Sequence, residues 1–307
     1  MTALHSQIRL QKVASRWLGA GAALLGASAA VHLVVLLATG GEWGGAVSFR
    51  KPFTFAFSVG LILWTSGWVL DRLPARPRLE RILAAVLIPS GLLEVGLITA
   101  QTWRGVPSHF NSATPQDGLI FSLMGIAIGV FSVGLGVIFV WALLQRPADR
   151  STRLAVLAGM ALVMLGLGTG AWIIGLGLEM TERLGHAPDT VIASEAGVAK
   201  FPHAMALHGI QLFIGVSIAA AMIGIPDQTR LRITRFVVAG YGLLVAWAIV
   251  HTNAGRAPTD LTGVEAALLW IGTALLVMAG VSLADGWRRT RAVRARVATP
   301  PPATIGS

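Results

Sequence analysis

Eight stretches of about twenty apolar residues, set apart by loops that alternate between rich and poor in arginine, constrain this chain more than any other feature. A helix needs roughly 20 residues to cross about 30 Å of hydrocarbon. Within lipid its backbone groups must all be bonded inside the segment. Trp17–Thr39, Pro52–Leu70, Ile82–Trp103, Leu119–Leu144, Leu154–Leu178, Pro202–Ile225, Phe236–Thr252 and Val264–Ala284 meet that requirement. The sequence therefore predicts an all-α polytopic membrane helix bundle of about eight transmembrane spans. Composition agrees: 54% of the 307 residues are hydrophobic, 12% are charged and the mean hydropathy is +0.71. A soluble domain would need far more polar surface.

The loop charges give the spans a direction. The amino terminus, the loops at 71–81, 145–153 and 226–235, and the tail from Arg288 hold 18 of the 24 lysines and arginines. The intervening loops hold only Arg50, Lys51, Arg104, Arg183, Lys200 and Arg256. Cytoplasmic loops carry the excess of basic residues, so both termini are expected in the cytoplasm of a cell (inner or plasma) membrane. The net charge of +10 is spread over short clusters, which suits the bilayer and its anionic lipid head groups rather than nucleic acid. Residues 1–16 are read as a cytoplasmic amino terminus, 17–286 as the bundle and 287–307 as a basic, proline-rich disordered tail. Arg9, Lys12 and Arg16 before an apolar run resemble a signal peptide. That run, at about 23 residues, exceeds a typical signal core and is expected to stay as the first span. Trp17, Trp43, Trp103, Trp141, Trp270 and Trp287 fall near span ends, where an amphipathic ring suits the interface.

An internal repeat shows in several places. Gly91-Leu92-Leu93 matches Gly242-Leu243-Leu244 at an offset of 151, and Pro107-Ser108 matches Pro258-Thr259 at the same offset. Lys51-Pro52 and Lys200-Phe201-Pro202 open spans two and six. These pairs share orientation, which points to two parallel four-helix halves near 1–150 and 151–290; in such repeats sites often lie between the halves. Gly125-x-x-x-Gly129 and Gly166-x-x-x-Gly170 have the spacing that lets helices approach closely.

The polar residues that carry chemistry gather at the arginine-poor end. His208 lies about 8 Å inside span six, with Gln211 three residues on along the same face. His32 lies about 10 Å inside span one. Two histidines at similar depth on different helices suit the axial positions of haem b, or simple helix–helix hydrogen bonds. Glu94, in the middle of span three, shares a face with Gln101. An ionisable group there reads as a proton relay or coupling carboxylate, as a partner for Arg50, Arg104 or His208, or as a neutral hydrogen-bonding carboxyl. Loop residues His109 and Asn111, with His203 and His251, add short polar groups on the same side. The basic residues Arg50, Lys51 and Arg104 run against the charge bias, and either ordinary ion pairs or haem propionates or an anionic small-molecule ligand would balance them. Glu179, Glu182 and His186 would share a face if span five extends as a helix, but Glu-x-x-x-His is not the di-iron Glu-x-x-His half-site.

Several absences narrow the chemistry. With no cysteine in the chain, disulfides, thiolate metal sites, iron–sulfur clusters and covalently attached haem are excluded. No Gly-x-x-x-x-Gly-Lys-Ser/Thr loop, His-x-x-x-His or His-Glu-x-x-His occurs. The only lysines are Lys12, Lys51 and Lys200, none placed for a retinal Schiff base.

Three blocks, Lys51-Pro52-Phe53-Thr54-Phe55, Arg104-Gly105 with Ser108-His109-Phe110-Asn111, and Pro202-His203 with His208-Gly209 and Gln211, together resemble blocks of a group of largely uncharacterised bacterial polytopic membrane proteins. The resemblance spans most of the membrane region and implies that these blocks carry function; it implies no reaction. Function is expected at a ligand or cofactor site in the outer leaflet. The leading expectation is haem b in a redox role, ligated by His32 and His208, with Arg50, Lys51 and Arg104 near the propionates. The alternatives are a secondary transporter or permease using Glu94 as its coupling carboxylate, and a non-catalytic partner subunit. Metal ligands, catalytic residues and oligomeric state stay open.

Overall fold

The computed structural model describes residues 8–145, 149–256 and 260–298, with the side chains of 293–298 left aside. Eight long helices follow one another: α1 (Val13–Ala38), α2 (Arg50–Leu70), α3 (Pro77–Trp103), α4 (Pro115–Leu144), α5 (Arg150–Leu184), α6 (Lys200–Ile223), α7 (Asp227–Asn253) and α8 (Gly263–Ala298). Each is long and apolar enough to span a membrane. The chain is an all-α polytopic bundle with one minor addition, a two-stranded hairpin of β1 (Ile192–Ala193) and β2 (Gly197–Val198) between α5 and α6.

The helices run past the eight apolar stretches. Hydropathy marks where a helix is in hydrocarbon, whereas backbone bonding continues into the interface until a cap stops it. Thr114 caps α4 by accepting from the Asp117 amide, and Asp149 caps α5 by accepting from Ser151 and Thr152. Gly185, at φ 74°, ends α5; His186 lies beyond it, so Glu179, Glu182 and His186 do not form one helical face. α8 continues to Ala298. The segment from 287 expected to be disordered is therefore helical at first, and residues 299–307 lie outside the described residues. Large apolar side chains point outward along whole helices, Val31 and Val34 on α1, Ile126 and Val133 on α4, Ile271 and Val281 on α8. Lipid tolerates such a surface; water does not. Trp17, Trp43, Trp103, Trp270 and Trp287 are exposed near helix ends as expected, but Trp141 is buried under Arg76.

Two four-helix halves share one packing scheme. α1 packs on α2 as α5 packs on α6, α3 on α4 as α7 on α8, α1 on α3 as α5 on α7, and α2 on α3 as α6 on α7. Across the halves α4 meets α5, and the equivalent helices α2 and α6 meet each other. The buried positions of α3 and α7 align at an offset of 150: Leu83 with Ile233, Leu87 with Val237, Ile98 with Ala248, Gln101 with His251, Thr102 with Thr252. The tripeptide match at 151 is one residue, about 100° of helix, out of this register. Gly242 faces open space while Gly240 meets the Gly272 carbonyl at 2.8 Å from where a Cβ would stand. Pro258 and Thr259 lie outside the described residues.

Ion pairs repeat as well. Lys12, just before α1, binds Glu80, the fourth residue of α3, at 2.8 Å. Asp149, just before α5, binds Arg230, the fourth residue of α7, at 3.0 Å. The positions correspond and the charges are exchanged. At the opposite end Asp117, third in α4, binds Arg104 at 2.9 Å, and Glu265, third in α8, binds Arg256 at 3.0 Å. The first pairs mark the arginine-rich end of the bundle, and the second pairs the end that carries the histidine loops.

Candidate functional site between the halves

Among the described residues, four carboxylates are buried: Glu80, Glu94, Asp117 and Glu265. Three are closed by a cation and a helix cap. Lys12 holds Glu80, whose carboxylate also accepts from the Arg76 amide. Asp117 accepts from Arg104, from Gln101 at 3.0 Å and from Thr114 at 2.7 Å, and Arg104 also donates to Gln101. Glu265 accepts from Arg256 and from both the amide and hydroxyl of Thr262. Such Thr-x-x-Asp and Thr-x-x-Glu capping boxes are structural clasps. Glu94 has none of this. It is 3% exposed, one carboxyl oxygen has no partner, and the other lies 3.9 Å from His109 Nε2.

His109 reaches Glu94 from the loop between α3 and α4. Its ring is wedged among Phe55, Phe110 and Phe121, and Phe110 in turn seats on α5 where Gly177 leaves room for it. Asn111 holds the loop through the Pro107 carbonyl and the Ala113 amide, each at 3.1 Å. Burial, reinforced by nearby Lys51, pushes the His109 pKa down from 6.5 to about 3. The ring is thus neutral at physiological pH. Ser108 Oγ stands 3.0 Å from its Nδ1; a hydroxyl proton given there leaves the ring's own proton on Nε2, on the side of Glu94.

Polar side chains also meet along the contact between α2 and α6. His208 Nε2 lies 2.8 Å from Ser58 Oγ, and Gln211 donates to Thr65 at 3.1 Å. His208 and Gln211 sit close on successive turns, but His208 Nδ1 and Gln211 Oε1 lack partners in hydrogen-bonding geometry. At the repeat offset of 150 Ser58 corresponds to His208, so the two halves touch here through equivalent positions. Thr65 and Gln211 also line a mostly apolar cavity of about 680 Å³ that extends to Arg291 at the arginine-rich end.

The remaining expected residues are placed elsewhere. His32 is pinned: Nδ1 lies 2.7 Å from the Ser28 carbonyl and Nε2 accepts from Trp103 at 3.1 Å. Both its nitrogens are engaged, and Arg104 is paired with Asp117. His203 turns to α5, with Nδ1 2.7 Å from the Gly166 carbonyl. His251 is buried against Trp247, its Nδ1 3.4 Å from Glu265. No cluster of three metal-ligating side chains occurs among the described residues. Glu94 meets His109 rather than Arg50, Arg104 or His208. The capping boxes are legible in the sequence as spaced Thr and acid; Ser58 and Thr65 are ordinary hydroxyls within an apolar span, and nothing marks them in advance. Comparison with protein families, curated proteins and solved structures finds no match for this chain.

Proposed function

We propose that this chain is a secondary transporter whose path follows the contact between α2 and α6, with Glu94 as the coupling carboxylate. The observation that carries this is the isolation of Glu94 in mid-membrane, where each of the other buried acids has a cation. An ionised carboxylate in so apolar a place needs compensation. A proton or a solute passing through would supply it. His109 offers a neutral ring for the proton, and the polar pairs Ser58–His208 and Thr65–Gln211 continue toward the cavity. Two parallel repeats meeting at a central site are a known architecture for rocking one half against the other. The arginine-rich end is the cytoplasmic one in this reading, by the charge bias of the loops.

The test is solute-driven proton uptake into proteoliposomes carrying an internal pH dye. Wild type acidifies the lumen with at least one solute of a panel of carboxylates, phosphate, amines and sugars, and Glu94→Gln, checked for unchanged thermal unfolding, does not. Equal traces from both proteins would overturn the reading. So would a Soret band on the purified chain that His208→Ala removes, which would restore haem b.

A further inference from the structure

Six basic residues sit at the histidine end, and the structure divides them. Arg104, Arg183 and Arg256 each pair with a carboxylate, Asp117, Glu179 and Glu265 respectively. Arg50, Lys51 and Lys200 do not, and these three lie together. Lys51 is within electrostatic reach of both Arg50 and Lys200, and Lys200 is within reach of Arg50. Neither lysine ammonium has a hydrogen-bond or ion-pair partner among the described residues. Arg50 spends only Nε, on the Trp43 carbonyl at 2.6 Å, leaving the two Nη groups of its fork unused. The one acid acting on Lys51 is Asp189, which already accepts from the Ala46 amide at 3.0 Å. Three positive charges face a single negative one on the side of the membrane where basic residues are scarce.

The placement follows from the repeat. Arg50 opens α2 and Lys200 opens α6, equivalent positions at the offset of 150, and these helices are the pair through which the halves touch. Both helix amino termini, the positive ends of their dipoles, therefore lie together at the mouth of the central path, although the first amides of α2 are already taken by Ser48 and Phe49. Lys51 links the mouth to its floor, since it also acts on His109, whose Nε2 lies 3.9 Å from one carboxyl oxygen of Glu94 while the other has no partner. We infer that this mouth is a binding site for a small oxyanion group, a phosphate or carboxylate, gripped by Arg50, Lys51 and Lys200. A guanidinium fork and two ammoniums suit the several oxygens of such a group. The inference rests on the transporter reading in one respect only: it makes an oxyanion the solute whose charge a proton on Glu94 would accompany.

The test is thermal unfolding of the detergent-purified full chain, read by tryptophan fluorescence. Inorganic phosphate or succinate is compared with chloride at equal ionic strength. A parallel series replaces phosphatidylcholine by phosphatidylglycerol in nanodiscs. A saturable rise of about 2–4 °C with phosphate or succinate, lost in Lys51→Gln and in Lys200→Gln but kept in Lys51→Arg and in Glu94→Gln, establishes the site with a soluble ligand. A rise only with phosphatidylglycerol, lost in the same two variants, establishes it with a lipid head group as the source. Equal responses of wild type and both glutamine variants to every probe overturn it. Proton uptake that survives such a failure leaves the transporter reading standing; binding without any proton uptake does the reverse.

Discussion

At the scale of single residues, the informative contrast is between polar groups that are closed and polar groups that are left open. Asp117 and Glu265 are closed by threonine caps and arginines, while Glu94 meets only a histidine held neutral by its surroundings. That neutrality has a measurable consequence. The unfolded chain protonates His109 near its ordinary 6.5, whereas the folded chain resists until about pH 3. Between those values unfolding takes up a proton, so acid favours the unfolded state. The contribution of His109 to stability is complete above about pH 6.5 and declines as the pH falls toward 3, with a slope of up to about 1.4 kcal/mol per pH unit. Denaturation midpoints of wild type and His109→Gln in detergent from pH 7.5 to 4.5 should diverge, wild type falling more steeply; parallel curves would mean that the ring is solvated. The sequence pointed to Glu94 and His109 separately, through mid-span position and loop chemistry. It could not pair them, because a residue in mid-helix and another in the following loop meet only through the tertiary course of that loop.

At the scale of helices, two identical motifs have opposite fates. Gly166-x-x-x-Gly170 lies in the α5–α6 contact, where a Cβ on Gly166 would stand 2.9 Å from the Leu207 backbone nitrogen and one on Gly170 3.0 Å from the His203 ring. Gly125-x-x-x-Gly129 on α4 has nothing within 4 Å. Spacing marks where a close approach is possible; only the partner helix decides whether it happens. Gly166→Leu should therefore force α5 from α6 and cost about 1–3 kcal/mol or more. Gly125→Leu, pointing into open space, should stay within about 0.5 kcal/mol of wild type. Urea midpoints for the two variants check this, and equal losses would refute the assignment of faces. The same limit explains the span boundaries. Apolar runs show where a helix is buried in lipid, and so they miss the helical turns beyond it, including the stretch of α8 from Arg288 to Ala298.

At the scale of the whole molecule, the number of spans and the presence of a repeat were both legible, for different reasons. Span number follows from apolar length, a local property. The repeat was visible only as scattered short matches, and the tripeptide match at 151 sat one residue out of register, since apolar helices reuse few residue types and chance similarity is common among them. Correspondence is clear in what each position does: Lys12–Glu80 answers Asp149–Arg230 with charges exchanged, and Gln101 with Asp117 answers His251 with Glu265. A selection that preserves the contact and not the residue leaves little for sequence matching to find. Which end faces outward is a separate matter, resting on arginine distribution, and the absence of cysteine makes it directly measurable. Single substitutions Ser112→Cys and Glu195→Cys place a thiol on exposed loops at the histidine end, while Ala75→Cys in an exposed loop and Gln228→Cys in the exposed first turn of α7 place one at the arginine-rich end. A membrane-impermeant maleimide should label the first two on intact cells and the second two only after permeabilisation, with no background from the parent chain. The reverse pattern would invert the protein and put the cluster of Arg50, Lys51 and Lys200 in the cytoplasm. Split behaviour within either pair would mean that the loops assigned to one end do not share a side, and the eight-span order itself would fall.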